Sequence, residues 1–450
     1  MTSKYLTSII FTFFATLSLV SCGGGGGGGG GGGNSSDQKD QVVLSNKNAP
    51  WFHDYMKTDD GSEVLVLTTI DQANFNKVSP PTPLFMIQVG SSGVVDKTAT
   101  YFNTPPQFYW ARNIVAFTDP VTQRPTLWFC SQGREVGNYE DAPDPRVNGV
   151  WGEQDQLYVL NGDKFEDAST KLPQSNDFSH GCSVGNIGDG NPLVFVKNTL
   201  GVFDGNPPRR LLFDDGVKYT SNGFDSDTLA DVTSWWTGTG DFAGRGFDDF
   251  VYSKRIVRYV GGAYQVVQDL VASDLENEGY TNYHGGVIGD INNDNKPDII
   301  MILSGDGVKQ PFLGGAKLAV FLNDGTGSFS YSPASIPSHE PNEYGLKIRI
   351  FDINFDGNAD IVTSGSKYGY GLQVTDRLTS SVLVGDGQGN FIKKTLNDPA
   401  LNLISNGHEA MYFLHDRDST SYSIILYSGD GVNTTLYGRT VTPNTPLGLR

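Results

Sequence analysis

The chain has 450 residues, with 50 acidic against 32 basic side chains and a formal net charge of −18. That balance lacks the basic stripe on which phosphate binding depends, so no nucleic-acid partner is expected. A surplus of carboxylates suits cation binding instead, and the hydrophobic share of 38% is enough for a large folded body.

In chain order, Lys4 supplies a small positive start and Ile9 to Val20 a mainly apolar run. The run is shorter than the roughly 20 apolar residues that a bilayer span takes, so residues 1–21 read as a secretory signal peptide. Leu19, Val20, Ser21 and Cys22 resemble the lipobox of bacterial lipoproteins, which implies lipidation at Cys22. Residues 22–40 then form a tether, since Gly23 through Gly33 is unbroken glycine and the polar residues after it cannot bury a core. The expectation is an exported protein, lipid-anchored to the bacterial envelope. Gly23 rather than an aspartate after Cys22 points, by analogy, to the outer membrane, on its periplasmic face or at the cell surface.

Residues 41–450 are repetitive. The clearest copies are GVIGDINNDNKPDIIMI (286–302) and RIFDINFDGNADIVTS (349–364), each an apolar stretch, an Asp-rich loop and a second run rich in Ile and Val. After each comes a second hairpin, AVFLNDGTGSFSY (319–331) and SVLVGDGQGNFIKK (381–394), with glycines where such turns need positive φ. Weaker copies lie at 51–102, 113–167, 183–219, 238–267 and 411–437. The fold class expected is all-β: a seven-bladed β-propeller with four-stranded antiparallel blades, spaced roughly 50 to 65 residues apart. An open β-solenoid is the rival, but its repeats are shorter and its strands parallel. Cys130 and Cys182 fall at strand ends of neighbouring repeats and are candidates for a disulfide, with two separately buried thiols as the alternative.

The loop DINNDNKPDI followed by LNDGTGSF resembles the FG-GAP or VCBS repeats that build integrin α-chain propellers and many secreted bacterial proteins. The resemblance covers residues 286–394 closely and the other repeats only in pattern.

Two loops are candidate calcium sites. Asp290, Asn292, Asp294 and Asp298 place side-chain oxygens at positions 1, 3, 5 and 9, with the carbonyl of Lys296 at position 7. Asp352, Asn354, Asp356 and Asp360 repeat the spacing, with the carbonyl of Asn358. Ca²⁺ takes six to eight oxygens, and alternating ligands on a turning loop converge on one point. Position 6 is Asn295 in one loop and Gly357 in the other, residue types at ease in the left-handed conformation. The related loop at Asp241 has Ala243 and Arg245 at positions 3 and 5, so an arginine pairing with Asp241 or Asp249 takes the cation's place there. The loop at Asn186 is shorter and lacks the final Asp. The two expected ions have a structural role.

His180 and His284 each lie six residues before the first residue of a loop, Asn186 and Asp290. His53, His408 and Trp235 take comparable places in other repeats. With Tyr283 and Tyr344, His180 and His284 are the candidates for acid–base chemistry or for holding a metal in a central funnel. The competing and favoured reading is that a His-Gly start to the strand packs between blades. The functional expectation is a calcium-stabilised binding or adhesion module for an envelope or extracellular protein or glycan. A lyase-like polysaccharide-active enzyme using that His/Tyr funnel is the alternative.

Overall fold

The computed structural model describes residues 42–44, 48–71, 81–90, 93–109, 111–120, 122–131, 134–135, 150–151, 153–172, 174, 176–177, 179–186, 194–199, 209–214, 219–222, 236–261, 263–306, 308–310, 317–337, 347–363, 365–366, 381–396, 410–416, 420–429, 434–444 and 446–449. The signal peptide, Cys22, the glycine tether, Trp235, Tyr344, His408 and the side chain of His180 lie outside these.

The protein is a β-propeller of antiparallel blades. Blade one is formed by Asn48–Lys57, Glu63–Asp71, Phe85–Gly90 and Gly93–Asp96. Blade two takes Ala111–Thr118, Pro125–Ser131, Gln156–Asn161 and Lys164–Asp167. Blade three comprises Ser179–Gly185, Val194–Thr199, Arg209–Asp214 and Tyr219–Asn222. Blade four is Thr237–Gly240, Asp249–Tyr252, Arg255–Val260 and Ala263–Asp269. Blade five is Tyr280–Gly289, Asp298–Gly305, Lys317–Asn323 and Phe329–Tyr331. Blade six is Ile348–Phe351, Asp360–Thr363, Ser381–Gly385 and Phe391–Thr395. The first strands of successive blades lie against one another, and this sets them innermost around a common axis.

Among the described residues six four-stranded blades are formed, not the seven that the repeat count led to expect. The last repeat does not close on itself locally. It builds a five-stranded sheet in the order Val42–Leu44, Thr434–Val441, Tyr422–Gly429, Ala410–His415, Gly365–Ser366. Its outer edge is therefore capped by a strand from the start of the chain, and its inner edge by two residues that follow the second strand of blade six. Sequence self-comparison cannot register either contribution, because neither belongs to the repeat it completes.

Packing explains why the second strands read as continuous apolar runs. In Asp298–Gly305, Ile299, Met301 and Leu303 face blade four, while Ile300 and Ile302 face blade six, and all five are fully buried. A strand covered on both faces has no polar side to show. Each such Ile or Leu contributes about 1.5–3 kcal/mol by leaving water. The five-stranded sheet obeys the same alternation: Met411 and Phe413 pack on blade six, Tyr412 and Leu414 on blade one. Cys130 of blade two and Cys182 of blade three form a disulfide in the layer between their blades, beside Trp128 and Leu157.

Candidate metal centre

Three blades share one loop conformation between their first and second strands. In blade five the Asp290 carboxylate accepts bonds from the backbone N–H groups of Asp294 (3.2 Å) and Asn295 (2.7 Å), and the Asn292 side-chain oxygen accepts one from Asp294 N–H (3.1 Å). In blade six Asp352 accepts from Asp356 (3.2 Å) and Gly357 (2.9 Å), and Asn354 from Asp356 (3.0 Å). In blade four Asp241 accepts from Arg245 (2.7 Å) and Gly246 (2.6 Å). Positions 4 and 6 have positive φ in all three: Asn293 and Asn295, Phe355 and Gly357, Gly244 and Gly246. Position 6 was legible from residue type. Position 4 was not, because Phe355 is a bulky residue that pays for the left-handed conformation.

The final aspartate of each loop is fully buried, at 0% exposure for Asp249, Asp298 and Asp360. It ties the loop to its own blade. Asp298 accepts from Ile291 N–H (3.2 Å) and Asn323 N–H (2.8 Å), and Asp360 from Ile353 N–H (2.9 Å) and Gly385 N–H (2.8 Å). Those partners at the ends of third strands, Asn323 and Gly385, were invisible to a reading of loop spacing. Burial pushes the Asp298 carboxyl up to about 6, with the Asp294 and Asp290 charges adding to it against the two backbone bonds. Burial likewise pushes Asp360 up to about 7, with Asp356 and Asp352 adding. Carboxyls raised in this way are held in a place that favours a neutralising cation.

Carboxylate oxygens of Asp290, Asp294 and Asp298 lie within 4.8 Å of one another, a cluster able to hold a metal ion. The donor set fits a hard cation, since every ligand the spacing nominates is oxygen. A carboxylate has about four lone-pair sites, so the backbone bonds to Asp298 leave it capacity for an ion. In blade four the protein supplies its own cation. The Arg245 guanidinium pairs with Asp249, and Arg258 Nε reaches the other oxygen of Asp249 at 3.0 Å. Burial raises the Asp249 carboxyl, and Arg258 and Arg245 oppose the rise. A positive charge therefore stands beside the final aspartate in the one of these three loops that lacks the position-3 and position-5 oxygens.

Residues 290–363 match the FG-GAP-like repeat. The repeat begins at the first loop aspartate of blade five and ends with the second strand of blade six, so it spans both loops. No curated protein matches the chain. Among solved structures, the Bacillus licheniformis rhamnogalacturonan lyase PL11 is 10% identical with a TM-score of 0.43, over 89% of this chain and 75% of that one. The polysaccharide lyase Uly1 is 10% identical with a TM-score of 0.43, over 91% of each chain. YCF48 from Cyanidioschyzon merolae is 12% identical with a TM-score of 0.40, over 88% and 98%. Likeness at this level bears on neither activity nor ligand.

His180, His284 and Tyr283 sit elsewhere, on the first strands. His284 is buried in Tyr280–Gly289, where the pairing register shifts between Tyr283 and Gly285, and the register of blade three shifts between Ser179 and Gly181. His180 and His284 are thus the extra residues of β-bulges, each followed by glycine. Tyr283 is buried, with its hydroxyl 2.6 Å from the Glu276 carboxylate and 3.1 Å from the Leu270 carbonyl. Burial first, then the Glu276 bond and charge, push its ionisation upward. Glu276 in turn meets Lys254 Nζ at 3.3 Å.

Proposed function

We propose that this is an exported, lipid-anchored propeller that binds an envelope or extracellular protein or glycan, stabilised by calcium in the loops of blades five and six. The observation that carries it is the anchoring of Asp298 and Asp360 to the backbone at the end of the adjacent third strand of their own blades, at Asn323 and Gly385. An ion held there bears on blade rigidity, which is what a surface-presenting scaffold requires. Calcium is the natural occupant of five oxygen ligands on a flexible loop. Cys22 is the anchor and residues 22–40 the tether in this reading.

The test uses the lipidated full-length protein against panels of envelope proteins and of neutral and acidic glycans, with calcium and with EDTA. Saturable, calcium-dependent binding without turnover supports the reading. Release of unsaturated sugar ends from an acidic glycan refutes it in favour of the lyase. Cys22→Ser should leave the protein unlipidated by mass spectrometry and released from the membrane fraction.

A further inference from the structure

We propose that the two loops take up their cations as a coupled pair, with Asn293 as the positioning residue that links them. The proposal rests on the calcium reading above and goes beyond it.

Asn293 stands at position 4 of the first loop with a φ of +59°. Its side-chain amide donates to the side-chain oxygen of Asn358, in the next blade, at 2.9 Å. Asn358 is position 7 of the second loop, the residue whose carbonyl is nominated as a ligand, and its N–H is held by Asp356 at 2.8 Å. A ligand-bearing segment of one loop is thus tied to a ligand-bearing segment of the other.

A third element closes the joint. The turn between the last two strands of blade six sits over the pair so closely that a Cβ at Gly387, where φ is +74°, would run into the side-chain oxygen of Asn358 and come 2.8 Å from the Asn293 amide nitrogen. At Gly389 a Cβ would lie 3.4 Å from that of Asn292, the position-3 residue of the first loop. Neither loop can draw in its ligands without bearing on the other. The joint between blades four and five differs in kind: Arg258 donates to the Gly327 carbonyl at 3.1 Å, so a permanent side-chain charge fixes it.

An ion in the first loop fixes Asn292 and Asn293, and Asn293 then holds Asn358 in place for the second ion. The ordering cost is met once for both loops, and by linkage the effect is reciprocal. Coupling of this kind commonly amounts to about fivefold or more in affinity.

The experiment is a calorimetric titration of the whole protein with Ca²⁺ alone. The wild type should bind two ions, the second about fivefold or more tighter than the first. Asn293→Gly keeps a backbone that accepts positive φ and should still bind two ions, with that enhancement lost. Gly387→Ala crowds the same joint from the third side and should produce the same loss. A merely structural role for Asn293 would lower the melting temperature without moving the affinity of the other loop. An Asn293→Gly isotherm superimposable on the wild type, or independent binding by the wild type, overturns the coupling alone. A protein that binds no calcium, or one ion, overturns the two-site reading and the coupling with it.

Discussion

Arg349→Met should unfold the propeller several degrees early. Arg349 projects from the innermost strand of blade six, and its guanidinium places one nitrogen 2.5 and 2.7 Å from the two oxygens of Glu63 in blade one. The other nitrogen donates to the carbonyl of Phe413 in the five-stranded sheet, and the group lies 3.9 Å from the centre of the Tyr55 ring. Three sheets, two of them at opposite ends of the sequence, meet on this side chain. Methionine keeps much of the stem but removes the charge and the fork, leaving Glu63 with the N–H of His415 at 2.8 Å. Both partners of the ion pair are largely buried, at 15% and 13% side-chain exposure. Stripping one member from such a pair costs about 3–5 kcal/mol, because the remaining charge stays desolvated. For a body of roughly 400 residues, a melting entropy of about 2.1 cal/mol/K per residue gives about 0.8 kcal/mol/K, and hence a fall of about 4 to 6 °C. Differential scanning calorimetry of the wild type, Arg349→Met, Glu63→Gln and the double variant forms a closed cycle. The double variant should be less destabilised than the sum of the singles. A fall under about 1 °C for Arg349→Met, or strict additivity, would refute the reasoning.

Three further outcomes are expected. Chelation with EDTA should lower the melting temperature, and Asp294→Ala combined with Asp356→Ala should abolish that sensitivity; a wild-type melt indifferent to EDTA contradicts it. Phe355→Ala should be less stable than Phe355→Gly by about 1 kcal/mol, because both lose the stack on Tyr422 (5.2 Å) but only glycine sheds the cost of the φ of +62°; scanning calorimetry that ranks alanine above glycine would count against the loop geometry. Lys347 donates to the His53 carbonyl at 3.0 Å, and burial pushes its ammonium down to about 8, against the raising influence of Asp54. Between pH 8 and 10 the unfolded chain then retains a proton that the folded chain has released, so stability attributable to Lys347 rises with pH through that window. The melting-temperature difference between the wild type and Lys347→Met should shift in the wild type's favour from pH 7 to pH 10, and a flat or falling difference would be inconsistent with it.

The parts of this fold that were legible in the sequence are those whose cause is local. The spacing of Asp290, Asn292, Asp294 and Asp298, repeated from Asp352 to Asp360, carries its own conformation, because each carboxylate or amide accepts from backbone N–H groups two to seven residues away. Arg245 was readable as a charge at a cation's place because its partner Asp249 lies four residues on. The parts that escaped depend on distant pairing. Nothing near Glu63 announces Arg349, and nothing in Val42–Leu44 announces that it pairs with a strand some 390 residues later. The histidines illustrate a third case. The spacing of His180 and His284 was evident, but their place at a bulge in the first strand is a property of strand pairing and not of the residues alone.

The three-residue strand Val42–Leu44 has a mechanical consequence. It pairs with Thr434–Leu436 on the outer edge of the five-stranded sheet, and among the described residues it is the first element met by a load applied from the N-terminal side. Such a load falls on a ladder of three residue pairs before it reaches the longer strands behind it. The edge should therefore peel at low force and act as a fuse, baring the strand Thr434–Val441 while the four-stranded blades remain intact.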